Sequence, residues 1–282
     1  MEKYKRDGVI GKERNSLRQI HKYRRQGSSG GSVVVKRFML QPKLDALSTR
    51  DEEASADPEE TGVPIKTLRQ ISLLKVMQHE NIVRLVEMNY EDGDSLVRLV
   101  FEYADMDLRN FLEEYAAKAS DQKLVKKLLC QLLRGVAHFH SIGAAHGALN
   151  PKNVLIDIGN ENLKILNIAM DADALYTAPE LLLGSTESSP AADMFAVGCI
   201  FAEMVNRRPL FQGKAANINN IFNLLGTPTE ENWPGKLSEV FPNLEPHGLD
   251  LISKLLCLDP SKRIKACAAL KHDYFKDLIL LR

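Results

Sequence analysis

Gly27-Ser28-Ser29-Gly30-Gly31-Ser32-Val33-Val34-Val35-Lys36-Arg37-Phe38 is the stretch from which the fold can first be read. The leading Gly/Ser residues have turn composition. The β-branched run behind them is short, as a strand is. Together they predict a hairpin, with Lys36 near the middle of its second strand. Towards the N-terminus, residues 1–25 carry nine Lys and Arg against Glu2, Asp7 and Glu13. That run reads as a solvated charged face, because no aromatic ladder accompanies it. Towards the C-terminus, residues 41–62 break the pattern. Asp51 to Glu60 is acidic, holds one Pro and lacks large apolar residues, so a mobile loop is expected there. Pro64 can open a helix, and Leu68, Ile71 and Leu74 recur at helical spacing, which predicts an amphipathic helix over about 65–78. Residues 82–85 and 95–101 read as strands on either side of a turn at Glu91-Asp92-Gly93-Asp94.

Beyond residue 105 the pattern turns helical. Helices are expected near 107–117, 121–141, 193–207, 214–225, 247–256 and 264–270. A short hairpin is expected from 154–156 and 163–166, around Gly159-Asn160. A strand-rich first third with one helix, followed by a mainly helical remainder, predicts an α+β fold with two segregated lobes.

Bulk composition narrows the function classes. At 282 residues the chain holds two domains or one large two-lobed one. Apolar residues are 44% and charged residues 26%, which excludes disordered, collagen-like and coiled-coil chains. Lys+Arg and Asp+Glu are both 37, so no net charge draws the chain to nucleic acid or an anionic membrane. Cys130, Cys199, Cys257 and Cys267 show neither a C-x-x-C pair nor zinc spacing. They read as buried thiols in a reducing compartment, cytoplasmic or nuclear, with no structural metal. The charged N-terminus has no apolar core, so no signal peptide is expected. No apolar run reaches about 18 residues, so no membrane span is expected either.

Five stretches carry a more specific message. Gly62 to Lys75 contains Pro64-Ile65-Lys66-Thr67-Leu68-Arg69-Gln70, and Gln78-His79-Glu80-Asn81-Ile82 continues it. Leu99-Val100-Phe101-Glu102-Tyr103, Ala192-Asp193 to Glu203-Met204, Gly226-Thr227-Pro228 to Trp233-Pro234-Gly235 and Leu256-Cys257-Leu258-Asp259-Pro260-Ser261-Lys262-Arg263 follow in order. They resemble the eukaryotic protein kinase domain, and most closely the cyclin-dependent kinases. The resemblance implies a two-lobed kinase-like fold. Residues 1–102 form its β-rich N-lobe, with 41–62 as an insertion, and residues 103–282 form its helical C-lobe. It also implies Ser/Thr kinase chemistry with ATP and Mg²⁺.

The residues at the matching positions qualify that implication. The glycine-rich loop matches Gly11-Lys12-Glu13-Arg14-Asn15-Ser16, which keeps only its first glycine; side chains at Glu13 and Ser16 hinder close approach to phosphate. Lys36 matches the phosphate-gripping lysine, but its glutamate partner falls at Gln70, which has no charge. Phe101, Glu102, Tyr103 and Ala104 match the adenine-binding hinge, and Asp107 lies near the expected ribose. The family's H-R-D-L-K-P-x-N appears as His146-Gly147-Ala148-Leu149-Asn150-Pro151-Lys152-Asn153. The catalytic base is thus replaced by Ala148, and His146 and Asn153 are remnants of the loop. The metal-binding D-F-G matches Asn167-Ile168-Ala169, so Asn153 and Asn167 are neutral candidates for a metal that prefers charged oxygen ligands. From Asn167 to Glu180 the activation segment spans 14 residues, shorter than the family's usual length.

Fold-supporting positions match better. Glu180 lies in Ala178-Pro179-Glu180, Arg263 matches its buried partner, and Asp193 matches the brace of the catalytic loop. Three readings follow. The chain is an inactive kinase-like binding module or decoy in cell-cycle or transcription-type signalling; or an active Ser/Thr kinase with substitute residues, Asp171 or Asp173 among them; or a decaying duplicate without function. The partner implied is a cyclin or related regulatory protein at Pro64, Arg69 and Gln70, met by a monomer.

Overall fold

The computed structural model describes residues 4–12, 19–25, 32–39, 77–91, 96–166, 173–186, 188–213, 218–226 and 236–279. The chain divides into two compact units. One comprises Met1–Gln78 and Val83–Tyr103; the other comprises His79–Ile82 and Ala104–Arg282.

In the first unit, five strands form an antiparallel sheet: β1 (Tyr4–Lys12), β2 (Gln19–Arg25), β3 (Ser32–Met39), β4 (Leu85–Glu91) and β5 (Leu96–Glu102). Their order is β1-β2-β3-β5-β4. Period-2 alternation in β3 buries Val33 and Val35, which meet Val100 of β5 and Val86 of β4. The hairpin expected around the Gly/Ser turn is present, with His21 opposite Val35. Residues 1–25, read from charge as a solvated face, supply β1 and β2, with Tyr4 opposite Arg25 and Lys12 opposite Gln19. β2 pairs with the edge of β3 and β1 with β2, backbone pairing that a charge count does not register. The strand expected at 82–85 is displaced: β4 starts at Leu85 and runs through Glu91. Ile82 belongs to the second unit and pairs there with Ile165. The expected insertion at 41–62 and nearly all of the expected helix at 65–78 lie outside the described residues.

The second unit is mainly helical. β6 (Met106–Asp107) leads into α1 (Leu108–Glu114) and the short α2 (Ala116–Ala119). The helix expected over 107–117 is broken at Tyr115 by a non-helical φ of −111°. α3 (Gln122–Ser141) begins at Asp121, whose carboxylate accepts from the Lys123 amide. Its apolar stripe, Leu124 to Phe139, is buried. The hairpin β7 (Val154–Asp157) and β8 (Asn162–Ile165) pairs with β6 and packs on α3. Gly135 permits that contact: a Cβ there would lie 2.7 Å from Ile165 Cδ1.

After α4 (Pro179–Leu182) comes α5 (Pro190–Asn206), which starts earlier than its expected 193. Ser189 accepts from the Ala192 amide and Pro190 takes the first turn, so the start is capped twice over. α5 is apolar on nearly every face and buried from Ala192 to Met204, the central helix of this unit. The helices α6 (Ile218–Leu225), α7 (Leu237–Val240), α8 (Pro246–Leu255), α9 (Ala266–Ala269) and α10 (Lys276–Ile279) follow. The helix expected at 264–270 is thus a single turn. The four cysteines form no disulfide, and only Cys199 is fully buried. Cys130 and Cys257 are half-buried, and Cys267 is exposed on α9; an apolar neighbourhood in sequence does not fix which way a short helix faces. No helix among the described residues is long and apolar enough to cross a membrane.

Candidate functional site: the loop from His146 to Asn153

The loop that joins α3 to β7 is organised from beneath by Asp193, in the first turns of α5. Asp193 Oδ2 accepts from the His146 amide at 2.8 Å, and Oδ1 accepts from the Gly147 amide at 2.9 Å. His140 Nε2 lies 3.0 Å from Oδ2. A carboxylate only 2% exposed is thereby satisfied on both oxygens. Gly147 has φ +79°, in the left-handed region that favours glycine.

His146 is fixed in one tautomer. Its Nε2 donates to the Leu166 carbonyl at 2.9 Å, and its Nδ1 accepts from the Ala148 amide at 3.3 Å. Phe139 meets its ring edge-on. Burial holds its pKa below the ordinary imidazole value, against the pull of Asp193. A neutral, doubly engaged ring supports the loop and has no nitrogen left for proton transfer.

Two asparagines close the loop on itself. Asn150 Nδ2 donates to the Ala148 carbonyl at 3.1 Å, and Asn153 Nδ2 donates to the same oxygen at 2.8 Å. Asn150 Oδ1 also accepts from the Lys152 amide at 3.0 Å, which caps the helical turn Pro151–Asn153. Asn150 is 1% and Asn153 7% exposed. Ala148 adds no side-chain acceptor. A small cavity beside it is lined by Gly147, Asp173, Tyr176, Ser188 and Asp193, among others.

Further along, Glu180 and Arg263 form a two-pronged pair, Nη1–Oε1 at 2.8 Å and Nη2–Oε2 at 2.9 Å. Arg263 also donates to the carbonyls of Ala191 and Cys257 and stands over the Phe195 ring. Its side chain is wholly buried. The structure therefore brings together His146, Asn153 and Asp193 in one assembly, and Glu180 with Arg263 in another.

The residues matched to nucleotide binding fall in both units. Gly11 pairs with Ile20 next to a register shift in β1. Lys36 sits in mid-β3 opposite Leu99, and Phe101 and Glu102 pair with Val34 and Val33. Phe101 is 2% exposed, and Glu102 Oε1 accepts from the Arg84 amide at 2.7 Å. Tyr103 ends the first unit and Ala104 begins the second run of the other. Asp107 is the N-cap of α1. Its two oxygens accept from the Asn110 amide and from Asn110 Nδ2, both at 2.9 Å. Burial raises its pKa against these bonds. Pro64, Arg69, Gln70, Asn167 and Asp171 lie outside the described residues.

Tyr176 and Arg109, both absent from the sequence reading, form a group with Glu203. The Tyr176 hydroxyl donates to Glu203 Oε2 and accepts from Arg109 Nη2. One signal was available: Glu203 is, with Asp193, one of two acids inside an apolar helix, and a buried carboxylate requires a partner.

The chain matches the family model of the protein kinase domain over residues 29–275, and it belongs to that family. Protein kinase domains generally use ATP and Mg²⁺. The described residues do not fit the metal. From His146 to Asn153 there is no carboxylate, and no group of three or more His, Cys, Asp or Glu among the described residues could hold an ion. Mg²⁺ sites are built from carboxylates and phosphate oxygens, whereas Asn153 offers a neutral amide already engaged through its nitrogen.

Proposed function

We propose that this is a kinase-domain protein of the cyclin-dependent type that does not transfer phosphate and acts as a regulatory binding module. One observation carries the reading. Where the base should stand, Ala148 has no proton-accepting side chain, and its carbonyl is capped by Asn150 and Asn153. A positioned general base contributes roughly 10²–10⁴ in rate, and metal charge stabilisation several kcal/mol more. With both compromised, turnover is negligible even though such losses do not simply add. The replacement of acid by Gln70 and Asn167 and the loss of two loop glycines point the same way. Nucleotide binding is correspondingly weak and nearly independent of Mg²⁺. The partner is a cyclin or related regulatory protein, on the strength of the resemblance over Gly62 to Lys75.

The test is thermal unfolding with ATP, with and without Mg²⁺. A small shift of equal size in both is expected; a large Mg²⁺-dependent stabilisation contradicts the reading. A pull-down against a panel of cyclins, with Arg69→Glu as control, tests the partner. Failure to capture any cyclin, or capture indifferent to that substitution, removes the stretch from Gly62 to Lys75 as a docking segment.

A second reading, an active Ser/Thr kinase, draws support from one feature. Asp173 lines the same cavity as Ala148 and could supply the missing carboxylate. Its Oδ1 already accepts from the Leu175 amide, and Arg109 lies 4.0 Å from Oδ2, which makes it a poor base. Transfer activity abolished by Asp173→Asn would select this reading.

A further inference from the structure

We infer that Arg109 is a permanent latch for the backbone that runs up to Ala178-Pro179-Glu180, so that residues 173–178 hold their place without any modification of the chain. The inference goes beyond the proposed function, since it stands whether or not phosphate is transferred.

Three elements meet at this point. Arg109 is the second residue of α1, Tyr176 closes the helical turn Ala174–Tyr176, and Glu203 lies in the buried part of α5. Arg109 Nη2 donates to the Tyr176 hydroxyl at 2.6 Å, and the same nitrogen is 3.6 Å from Glu203 and 4.0 Å from Asp173. The Tyr176 hydroxyl passes its own proton bond on to Glu203. Tyr176 and Glu203 are each 3% exposed. One guanidinium therefore faces a phenol and two carboxylates, and it is the cation that makes burying Glu203 tolerable.

The chemistry of the cation decides the behaviour. Burial works against the charge on Arg109, but Tyr176, Glu203 and Asp173 outweigh it and raise its pKa. An arginine stays charged at every physiological pH, and its planar fork can serve several acceptors at once. Asp173 fixes the near end of the turn through the Leu175 amide. The Tyr176 and Thr177 amides bond to the carbonyls of Asp173 and Ala174. A few residues on, Glu180 is held by Arg263. The stretch from Asp173 to Glu180 is thus gripped at both ends by arginines that belong to the chain itself. A phosphorylated side chain supplies such a grip only while the modification lasts; this grip is permanent.

Hydrogen exchange on the full chain, expressed and treated with phosphatase, tests the latch. In the unmodified protein the Tyr176 and Thr177 amides should stay protected, and phosphatase should leave their rates unchanged. Arg109→Met should speed both by at least tenfold, while the amides of the 154–165 hairpin keep their rates. Arg109→Lys keeps the charge but loses the fork and should fall between the two. Tyr176→Phe should speed exchange at the turn about as much as Arg109→Met, and the double variant should add little. Exchange at the turn that is unaffected by Arg109→Lys and Arg109→Met overturns the inference. So does a phosphatase-induced loss of protection, or an acceleration spread evenly over the second unit.

Discussion

Gly147 combines a left-handed backbone with a close neighbour. Its φ of +79° is unfavourable for any residue with a Cβ, and that atom would stand 3.0 Å from Ser188 Oγ. Gly147→Ala should therefore cost about 1–2 kcal/mol from the left-handed backbone alone. Ser188→Gly in the same background should recover only the contact, not the backbone term. Urea titration of the two variants separates them. A buried ion pair has larger stakes. Arg263→Met strands Glu180 without its two-pronged partner and frees the carbonyls of Ala191 and Cys257. The expected loss is about 3–5 kcal/mol, read by the same titration; a loss below about 1 kcal/mol would mean the pair is not structural.

At the scale of elements, α5 supports the loop because its own start is fixed. Ser189 caps it and Asp193, one turn in, holds the amides of His146 and Gly147. Ser189→Ala should cost about 0.5–2 kcal/mol, and exchange at the His146 and Gly147 amides should quicken together with that at Ala192. Loss at Ala192 alone would show that cap and loop are uncoupled. Some of this organisation was legible in the sequence. The short β-branched run Val33-Val34-Val35 marked β3, and the apolar spacing of α3 marked a helix within one residue of its observed start. That Gly147, Ala148 and Asn150 carry no charge was plain from the sequence. What the sequence hid was long-range. Arg109 and Tyr176 are 67 positions apart and share no local pattern, and two asparagine amides converging on one carbonyl is a property of a folded turn. β2 was legible as the first strand of the hairpin before Gly27, whereas β1 was hidden for another reason: its strand state comes from pairing with β2, and a charge run is compatible with a strand.

For the molecule as a whole, pH provides a check on the supporting histidine. Burial keeps His146 neutral in the folded state, below its ordinary value of 6.5. The unfolded chain takes up a proton as the pH falls through 6.5, and the folded chain does not. The contribution is therefore full above about pH 6.5 and is lost as the pH drops below it. His79, lowered by burial and by the neighbouring His138, acts in the same direction. Stability should decline from pH 7 towards 5, and His146→Asn should make that decline shallower. An unchanged slope would mean that His146 titrates normally in the folded protein.

The claim that most needs testing is the absence of phosphoryl transfer. The measurement is incorporation of γ-phosphate from ATP with Mg²⁺ into a basic Ser/Thr peptide, with and without cyclin, for the unmodified protein beside Lys36→Met. The chain as described should give no incorporation above the Lys36→Met level in either condition, and Ala148→Asp alone should not restore any. Sustained Mg²⁺-dependent incorporation by the unmodified protein, abolished by Lys36→Met, would contradict the account at its centre.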